Sequence, residues 1–149
     1  MVNIFDAADN QSLQDRLQSL NSDTTPIWGK MSAAQMVLHC QKPLDVADGK
    51  LVLPRSILGF LFGKMAKNNF LKNDTFQKNL PTAPQFKITS EPNFPVEKEV
   101  LSNLIKKFGT IGPKVIANKK HPLFGTMSDE EWGILQYKHL DHHLNQFGL

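Results

Sequence analysis

The chain contains 149 residues, of which 40% are hydrophobic and 21% are charged, and this composition predicts one globular domain over residues 1–149 with a substantial core. The formal net charge of +3 is too small to demand a nucleic-acid partner, and no apolar run approaches the roughly 20 residues that span a bilayer. The N-terminus lacks the pattern of a signal peptide, and the single cysteine, Cys40, excludes an internal disulfide. We therefore expect a cytoplasmic protein that binds neither nucleic acid nor a membrane.

The first predicted helix covers residues 6–20, where Leu13, Leu17 and Leu20 recur at helical spacing among polar residues. A connection follows and contains Trp28. We interpret Trp28 as a packing anchor, with a lid over a binding site as the alternative.

The second predicted helix begins at Ser32, where Ser32 and Gln35 match a capping box. Apolar residues surround most of this helix, so we expect it to be central in the fold. His39 lies in its middle and Pro43 follows four residues later. Because proline has no N–H to donate to the His39 carbonyl, we expect a bent or widened helix beside this histidine. A kink that only wraps the helix around the core is an equal alternative.

The middle of the chain predicts a shorter amphipathic helix and then a long connection. Within residues 54–71, apolar residues share one stripe and lysines lie off it, which indicates a helix that covers the core. A helix lying on a membrane surface is the less favoured alternative. Residues 72–95 are rich in proline and polar residues and predict a surface connection, with a brief extended piece at 85–89. The stripe consists of Ile57, Leu58, Leu61, Phe62 and Met65.

A third long helix is predicted from Pro95, since proline is tolerated at a helix start, and Gly109 and Gly112 are expected to end it. In the loop that follows, His121 precedes Pro122 and is expected to be extended. We interpret His121 as a surface histidine, with a position near a binding site as the alternative. The apolar stripe of this helix consists of Val96, Val100, Leu101, Leu104, Ile105 and Phe108.

The last predicted helix begins with a second capping box, Ser128 and Glu131, and Gly148 supplies its stop. It carries three of the five histidines of the chain. His139 and His143 lie one turn apart on an inward-facing stripe, where two imidazoles can share one metal ion. Hydrogen-bonded core histidines are the alternative interpretation.

Helical phase also sorts the other polar residues around these histidines. His142 lies at the edge of the inward sector, so we expect it outside any coordination sphere. Several amides and one indole are placed to orient the imidazoles or to contact a ligand, with ordinary hydrogen bonding in the interior as the alternative. The residues predicted to orient the imidazoles or to line a pocket are Gln35, Trp132, Gln136 and Gln146.

Four long helical segments with few strand signals predict a four-helix bundle. Bundles build metal sites from side chains on facing helices. His39 on the second long helix could meet His139 and His143 on the fourth. Three imidazoles on one ion, with one position left open, are typical of a catalytic zinc-type site.

The stretches WGKMSAAQMVLHC, HPLFG and EEWGILQYKHLDHHLNQFG resemble the DinB/YfiT-like superfamily of four-helix-bundle metalloproteins, in its branch of domains of unknown function. The resemblance implies an all-α, DinB-like four-helix bundle, here with an extra short helix and a long connection between helices two and three. It implies a divalent ion, zinc or nickel, on His39, His139 and His143, and frequent homodimers. Some relatives are thiol-dependent transferases or isomerases that act with mycothiol, bacillithiol or glutathione.

These features together predict a metal-dependent transferase that activates a small thiol for attack on an electrophilic small-molecule substrate. No aspartate or glutamate accompanies the proposed ligands, whereas metal-dependent hydrolases usually need a carboxylate base, so thiol transfer is favoured. Cys40 points about 100° away from His39 on the helix and is expected in the core, so the thiol must come from outside. The alternatives are a metal-dependent hydrolase and a module that binds metal or a small ligand without turnover.

Overall fold

Five α-helices make up most of the structure, a computed structural model that describes residues 1–54, 57–73, 76–79, 82–118 and 120–149. This architecture confirms the all-α prediction, with the addition of two short antiparallel strands, β1 (Lys120–His121) and β2 (Gly125–Thr126), in which Lys120 pairs with Thr126 and His121 with Gly125. Short 3₁₀ turns occupy Pro84–Phe86 and Gly112–Val115. The helices are α1 (Ala7–Ser19), α2 (Ala33–Ala47), α3 (Ile57–Lys72), α4 (Phe94–Ile111) and α5 (Asp129–Gln146).

Both predicted capping boxes are confirmed, and they start the two helices that carry four of the five histidines. Ser32 Oγ accepts from the Gln35 N–H at 3.2 Å, and Gln35 Oε1 accepts from the Ser32 N–H at 3.1 Å. Ser128 and Glu131 exchange the equivalent bonds at the start of α5. Each box satisfies backbone donors that the first helical turn leaves unpaired, which fixes where the helix begins. The α-helix α2 continues through Pro43, so this proline does not end it.

Helices α1, α2, α4 and α5 pack around one hydrophobic core, in which α2 contacts both α4 and α5. Trp132 and Phe108 are fully buried there. An ion pair of 2.7 Å between Arg16 and Asp141 ties α1 to α5. Cys40 is also in this core, as predicted, with 1% of its surface exposed.

Helix α3 is 16 residues long and faces the core differently from the prediction. Its predicted core stripe is wrong for the three described members: Leu61, Phe62 and Met65 are 64%, 53% and 67% exposed. The side chains of Ile57 and Leu58 lie outside the described residues. The helix instead packs its glycines against the backbone at Leu123. A Cβ on Gly59 would lie 2.5 Å from the Leu123 carbonyl oxygen, so a residue with a side chain could not make this contact.

Two expectations for α4 also need correction. Val96 and Val100 are 53% and 41% exposed, so the buried stripe begins only at Leu101. Gly109 does not end the helix, which continues to Ile111 before Gly112 adopts a left-handed φ of +67°. A Cβ on Gly109 would overlap the side chain of a buried asparagine of α1, so this glycine serves close packing.

The connection between α3 and α4 crosses over the beginning of α2. It contains a 3₁₀ turn at Pro84–Phe86 in place of the expected extended piece at 85–89. Gln35 Nε2 donates to the Ser90 carbonyl at 3.1 Å, and Ser32 Oγ donates to Glu91 at 2.7 Å. These bonds hold the connection against the helix that carries His39. Among the described residues, no helix has the length and apolar character needed to cross a membrane.

Candidate metal centre

Three imidazoles meet where α2 faces α5. One ring nitrogen of each of His39, His139 and His143 lies within 4.8 Å of the others. The ring centroids of His39 and His139 are 5.2 Å apart, and each of these rings is centred 4.7 Å from that of His143. The structure thus brings together the three histidines selected from the sequence, in an arrangement that could hold a metal ion. We call these three residues the imidazole cluster.

The 3₁₀ turn fixes the tautomer of His39. Its Nδ1 lies 2.9 Å from the Phe86 carbonyl oxygen, which can only accept, so Nδ1 carries the hydrogen and donates it. The Nε2 lone pair is therefore unprotonated, and it faces His139 Nε2 at 3.2 Å. A backbone carbonyl that holds Nδ1–H in this way is the usual partner of a histidine that binds metal through Nε2.

His143 is oriented by a chain of two hydrogen bonds. Its Nδ1 lies 2.9 Å from Gln146 Oε1, and Gln146 Nε2 donates to the Trp28 carbonyl at 2.7 Å. Because the Trp28 carbonyl can only accept, the amide oxygen of Gln146 must face His143 and accept from Nδ1–H. His143 Nε2 is again left with a free lone pair. Gly29, at φ +82°, permits the close approach, since a Cβ there would overlap the Gln146 amide nitrogen.

His139 differs from the other two members of the imidazole cluster. Its Nδ1 is buried and has no hydrogen-bond partner among the described residues, and the same is true of Gln136 Oε1. The two side chains are three residues apart on α5 and are therefore neighbours on its surface. With an ion on Nε2, Nδ1 would carry the hydrogen of the neutral ring, but no hydrogen bond joins it to Gln136 Oε1 in the structure. The set of three imidazole donors fits a metal ion.

Burial keeps the cluster neutral. It lowers the pKa of His39, although the hydrogen bond to Phe86 opposes this effect. Burial, followed by the neighbouring imidazoles, places the pKa of His139 well below its ordinary value, and burial lowers the pKa of His143 to about 3. Neutral imidazole is the form that binds metal, so protons compete little with an ion at neutral pH.

One pair of nitrogens in the imidazole cluster has the spacing of two ligands on a tetrahedral ion. Two imidazole nitrogens bound to one zinc ion at about 2.0–2.1 Å lie about 3.3 Å apart at a tetrahedral angle. The distance of 3.2 Å between His39 Nε2 and His139 Nε2 is close to this value. His142 is not part of the cluster. Its ring contacts those of Trp28 and Phe76, with centroids 5.8 Å and 5.6 Å away, and that of the cluster member His143 at 5.1 Å.

The cluster lines a half-open cavity of about 340 Å³, a size that accepts a small molecule. Its walls include the aromatic ring of Trp28, from the connection between α1 and α2, and those of Phe76 and Phe86, from the connection between α3 and α4. Among the described residues that line it, Lys30 is the only charged side chain, and there is no aspartate or glutamate. Lys78 Nζ lies 4.2 Å from the centroid of the Trp28 ring and adds a second positive charge beside the cavity. The cavity is therefore aromatic, with positive charge at its edge.

His121 lies beside the cavity, the position that the sequence analysis gave as its alternative. It was expected at the surface, but it lines the cavity between the rings of Phe124 and Trp132, whose centroids are 4.6 Å and 5.1 Å from its own. Burial lowers its pKa to about 4. The sequence signal was the turn that surrounds it, since Gly125, at φ +74°, closes a hairpin that points the His121 ring inward.

The remaining predicted residues divide between the cluster and other tasks. Gln136 and Gln146 lie beside cluster members, as described above. Trp132 is fully buried, and its indole Nε1 has no partner among the described residues. Gln35 is not brought to the cluster, because both ends of its amide are engaged at the start of α2 and with the Ser90 carbonyl.

No protein-family model, curated protein or solved structure matches this chain. The resemblance to the DinB/YfiT-like superfamily therefore stays a prediction that rests on the sequence motifs.

Proposed function

We propose that the protein binds one divalent metal ion, zinc or nickel, through His39, His139 and His143, and that it acts in the cytoplasm as a transferase on a small thiol. The observation that carries the metal proposal is the pair of fixed tautomers. The oxygens of Phe86 and Gln146 hold the Nδ1 hydrogens of two imidazoles, so the Nε2 atoms of both rings keep the lone pair through which a histidine binds a metal ion. Membership in the DinB/YfiT-like superfamily, with a homodimeric assembly, belongs to the same proposal.

The chain itself provides the surroundings of the reaction. A divalent ion with an open coordination position lowers the pKa of a thiol or water that it binds and so supplies a nucleophile at neutral pH. Trp28 and Phe76 offer apolar faces to a reactant. Cys40 cannot supply the thiol, because it is 1% exposed and burial raises the pKa of its thiol above the usual range. The thiol must be a small molecule that enters the cavity.

The proposed reaction converts a thiol R–SH and an electrophile R′–X into R–S–R′, a proton and X⁻. A carbon–sulfur bond forms as the carbon–X bond breaks, and the leaving group departs with the bonding electron pair. The thiol hydrogen leaves as a proton to solvent. No oxidant or reductant is required.

A metal-dependent hydrolase is the second candidate. Such enzymes usually use a carboxylate as the base that activates water. None of the described residues that line the cavity is an aspartate or glutamate, and this observation favours thiol transfer. A module that binds metal or a small ligand without turnover is the third candidate, and kinetics separates it from the other two.

The test combines metal analysis with a conjugation assay. Protein purified without an affinity tag should contain one divalent ion per chain, measured by plasma mass spectrometry. His139→Gln should lose the ion, whereas the matched variant His142→Gln should keep it, because His142 is outside the cluster. An ion-free wild type that also takes up no added zinc or nickel would contradict the metal proposal.

Conjugation is then measured with glutathione, bacillithiol and mycothiol in turn, and chlorodinitrobenzene as the electrophile. We expect catalysis with at least one thiol, and we expect it to disappear on chelation and to survive in Cys40→Ser. If fully metallated protein gives only background rates with all three thiols, the transferase proposal is replaced by the non-catalytic module.

A further inference from the structure

His121 has a tautomer set entirely by its own loop. Its Nδ1 accepts from the backbone N–H groups of Leu123 and Phe124, both at 3.1 Å. A ring nitrogen that accepts two hydrogen bonds carries no hydrogen, so the hydrogen of this neutral imidazole is on Nε2. The ring cannot turn over about its Cβ–Cγ bond without losing both hydrogen bonds.

The Nε2–H of His121 is the free end of this ring. Among the described residues it has no hydrogen-bond partner. It also keeps some accessible surface, since it is not among the buried polar atoms that lack a partner. Since the ring lines the cavity, this donor is accessible from it. Burial keeps the pKa of His121 at about 4, so the group stays a neutral donor throughout the neutral pH range. A fixed neutral donor in an aromatic cavity selects a ligand that offers an acceptor oxygen.

The charges around the cavity indicate which kind of acceptor oxygen the ligand carries. Lys30 lines the cavity and Lys78 lies against the Trp28 ring, while no described cavity residue is acidic. We propose that the small molecule bound here carries a carboxylate, that His121 Nε2–H donates to this carboxylate, and that Lys30 and Lys78 attract it. The inference rests on the proposed function only in assuming that the reactants occupy this cavity. A cationic ligand of the same size would meet two positive charges, and no acidic side chain among the described residues that line the cavity would compensate them.

One substitution removes the donor and keeps the loop. In His121→Asn, the asparagine Oδ1 can accept from the N–H groups two and three residues later, as asparagine does in turns, whereas nothing reaches the position of Nε2–H. Zinc-loaded protein is titrated by calorimetry with benzoate and with benzyl alcohol, a neutral molecule of similar shape. We expect His121→Asn to lose about tenfold or more in benzoate affinity, the effect of one hydrogen bond to a charged group, with unchanged affinity for benzyl alcohol.

The result is checked by nitrogen NMR of the histidine side chains. In the wild type, the Nε2–H resonance of His121 should shift on addition of benzoate and should not shift with benzyl alcohol. Equal losses for both probes in His121→Asn would assign His121 a structural role and overturn the proposal. Undiminished benzoate binding, or no benzoate binding to the wild type, would overturn it as well.

The same titrations on metal-free protein separate this proposal from the proposed function. If the protein takes up no metal, the metal proposal fails, and the contrast between benzoate and benzyl alcohol still decides the role of His121. If the protein takes up metal and the contrast is absent, the carboxylate inference fails alone.

Discussion

Replacing Gln146 by methionine tests whether the hydrogen bonds around the imidazole cluster prepare it for a metal ion. Gln146 is 5% exposed, and its amide joins His143 Nδ1–H to the Trp28 carbonyl. Methionine has nearly the same length and volume as glutamine but neither accepts nor donates a strong hydrogen bond. Gln146→Met should therefore leave the ligands in place while releasing the tautomer and the rotation of the His143 ring.

The expected loss follows from what this bond does. Removing the hydrogen-bond partner of a ligating histidine typically lowers metal affinity by about 10–100-fold, or about 1.4–2.7 kcal/mol. The free energy of unfolding should fall separately by about 2–4 kcal/mol, because one N–H and one carbonyl lose their partner. The two effects are measured apart: metal affinity by competition with a fluorescent chelator, and stability by urea denaturation of the metal-free protein.

Gln41→Met is the matched control. Gln41 is equally buried at 5% exposed, and its amide also makes two hydrogen bonds, to the Glu97 carbonyl at 3.0 Å and the Glu97 carboxylate at 2.8 Å. It does not line the cavity. We expect Gln41→Met to lose comparable stability and to keep the wild-type metal affinity. If Gln146→Met binds zinc as tightly as the wild type does, the hydrogen bonds around the imidazole cluster do not prepare it for a metal ion.

Three further predictions concern packing, pH and thiol reactivity. Gly59→Ala should destabilise the protein by about 1–3 kcal/mol in a thermal melt, because its Cβ would lie 2.5 Å from the Leu123 carbonyl oxygen, whereas Asn69→Ala on the exposed face should change little. The folded state lowers the pKa of His121 to about 4, so the unfolded state binds a proton more readily. The free energy of unfolding should therefore be unaffected by this group above pH about 6.5 and should fall by up to about 3 kcal/mol as the pH falls towards 4. Urea titrations at several pH values should show this slope in the wild type and a shallower one in His121→Asn; equal slopes would contradict the assignment. Cys40, buried and with a raised pKa, should react with a thiol reagent at neutral pH only after unfolding, and rapid labelling of the native protein would refute its core position.

The sequence was sufficient for two helix starts and for the pairing of His139 with His143 on α5, because these depend on local chemistry. Ser32 and Ser128 each precede a residue that completes a capping box, and the structure contains both boxes. Spacing of one helical turn places His139 and His143 on one face of α5 whatever the rest of the fold does. Only the meeting of this face with His39 requires tertiary structure, and the pairing of two buried helices provides it.

The hydrophobic periodicity gave a wrong prediction for α3, because it identifies an apolar face of a helix but not the surface that packs against the helix. On α3, Phe62 and Met65 are exposed, whereas a different face, which carries Gly59 and Gly63, packs against the backbone near Leu123. Glycine allows a close backbone contact that no hydropathy pattern records.

Distant contacts were also inaccessible from sequence, because they join segments far apart in the chain. The carbonyl of Phe86 sets the tautomer of His39 across 47 positions, and no side chain marks it as functional. The role of His121 depends on a hairpin that turns its ring towards Trp132. Such contacts follow from the packing of the connections, which local propensity does not determine.

The central claim, a three-histidine metal site, is tested most directly by diffraction at a metal absorption edge from crystals of zinc-loaded protein. We expect one anomalous peak between α2 and α5, about 2.0–2.2 Å from the Nε2 atoms of His39, His139 and His143. His39 Nδ1 should remain bonded to the Phe86 carbonyl. A peak elsewhere, or a His39 ring turned away from the other two imidazoles, would contradict the account.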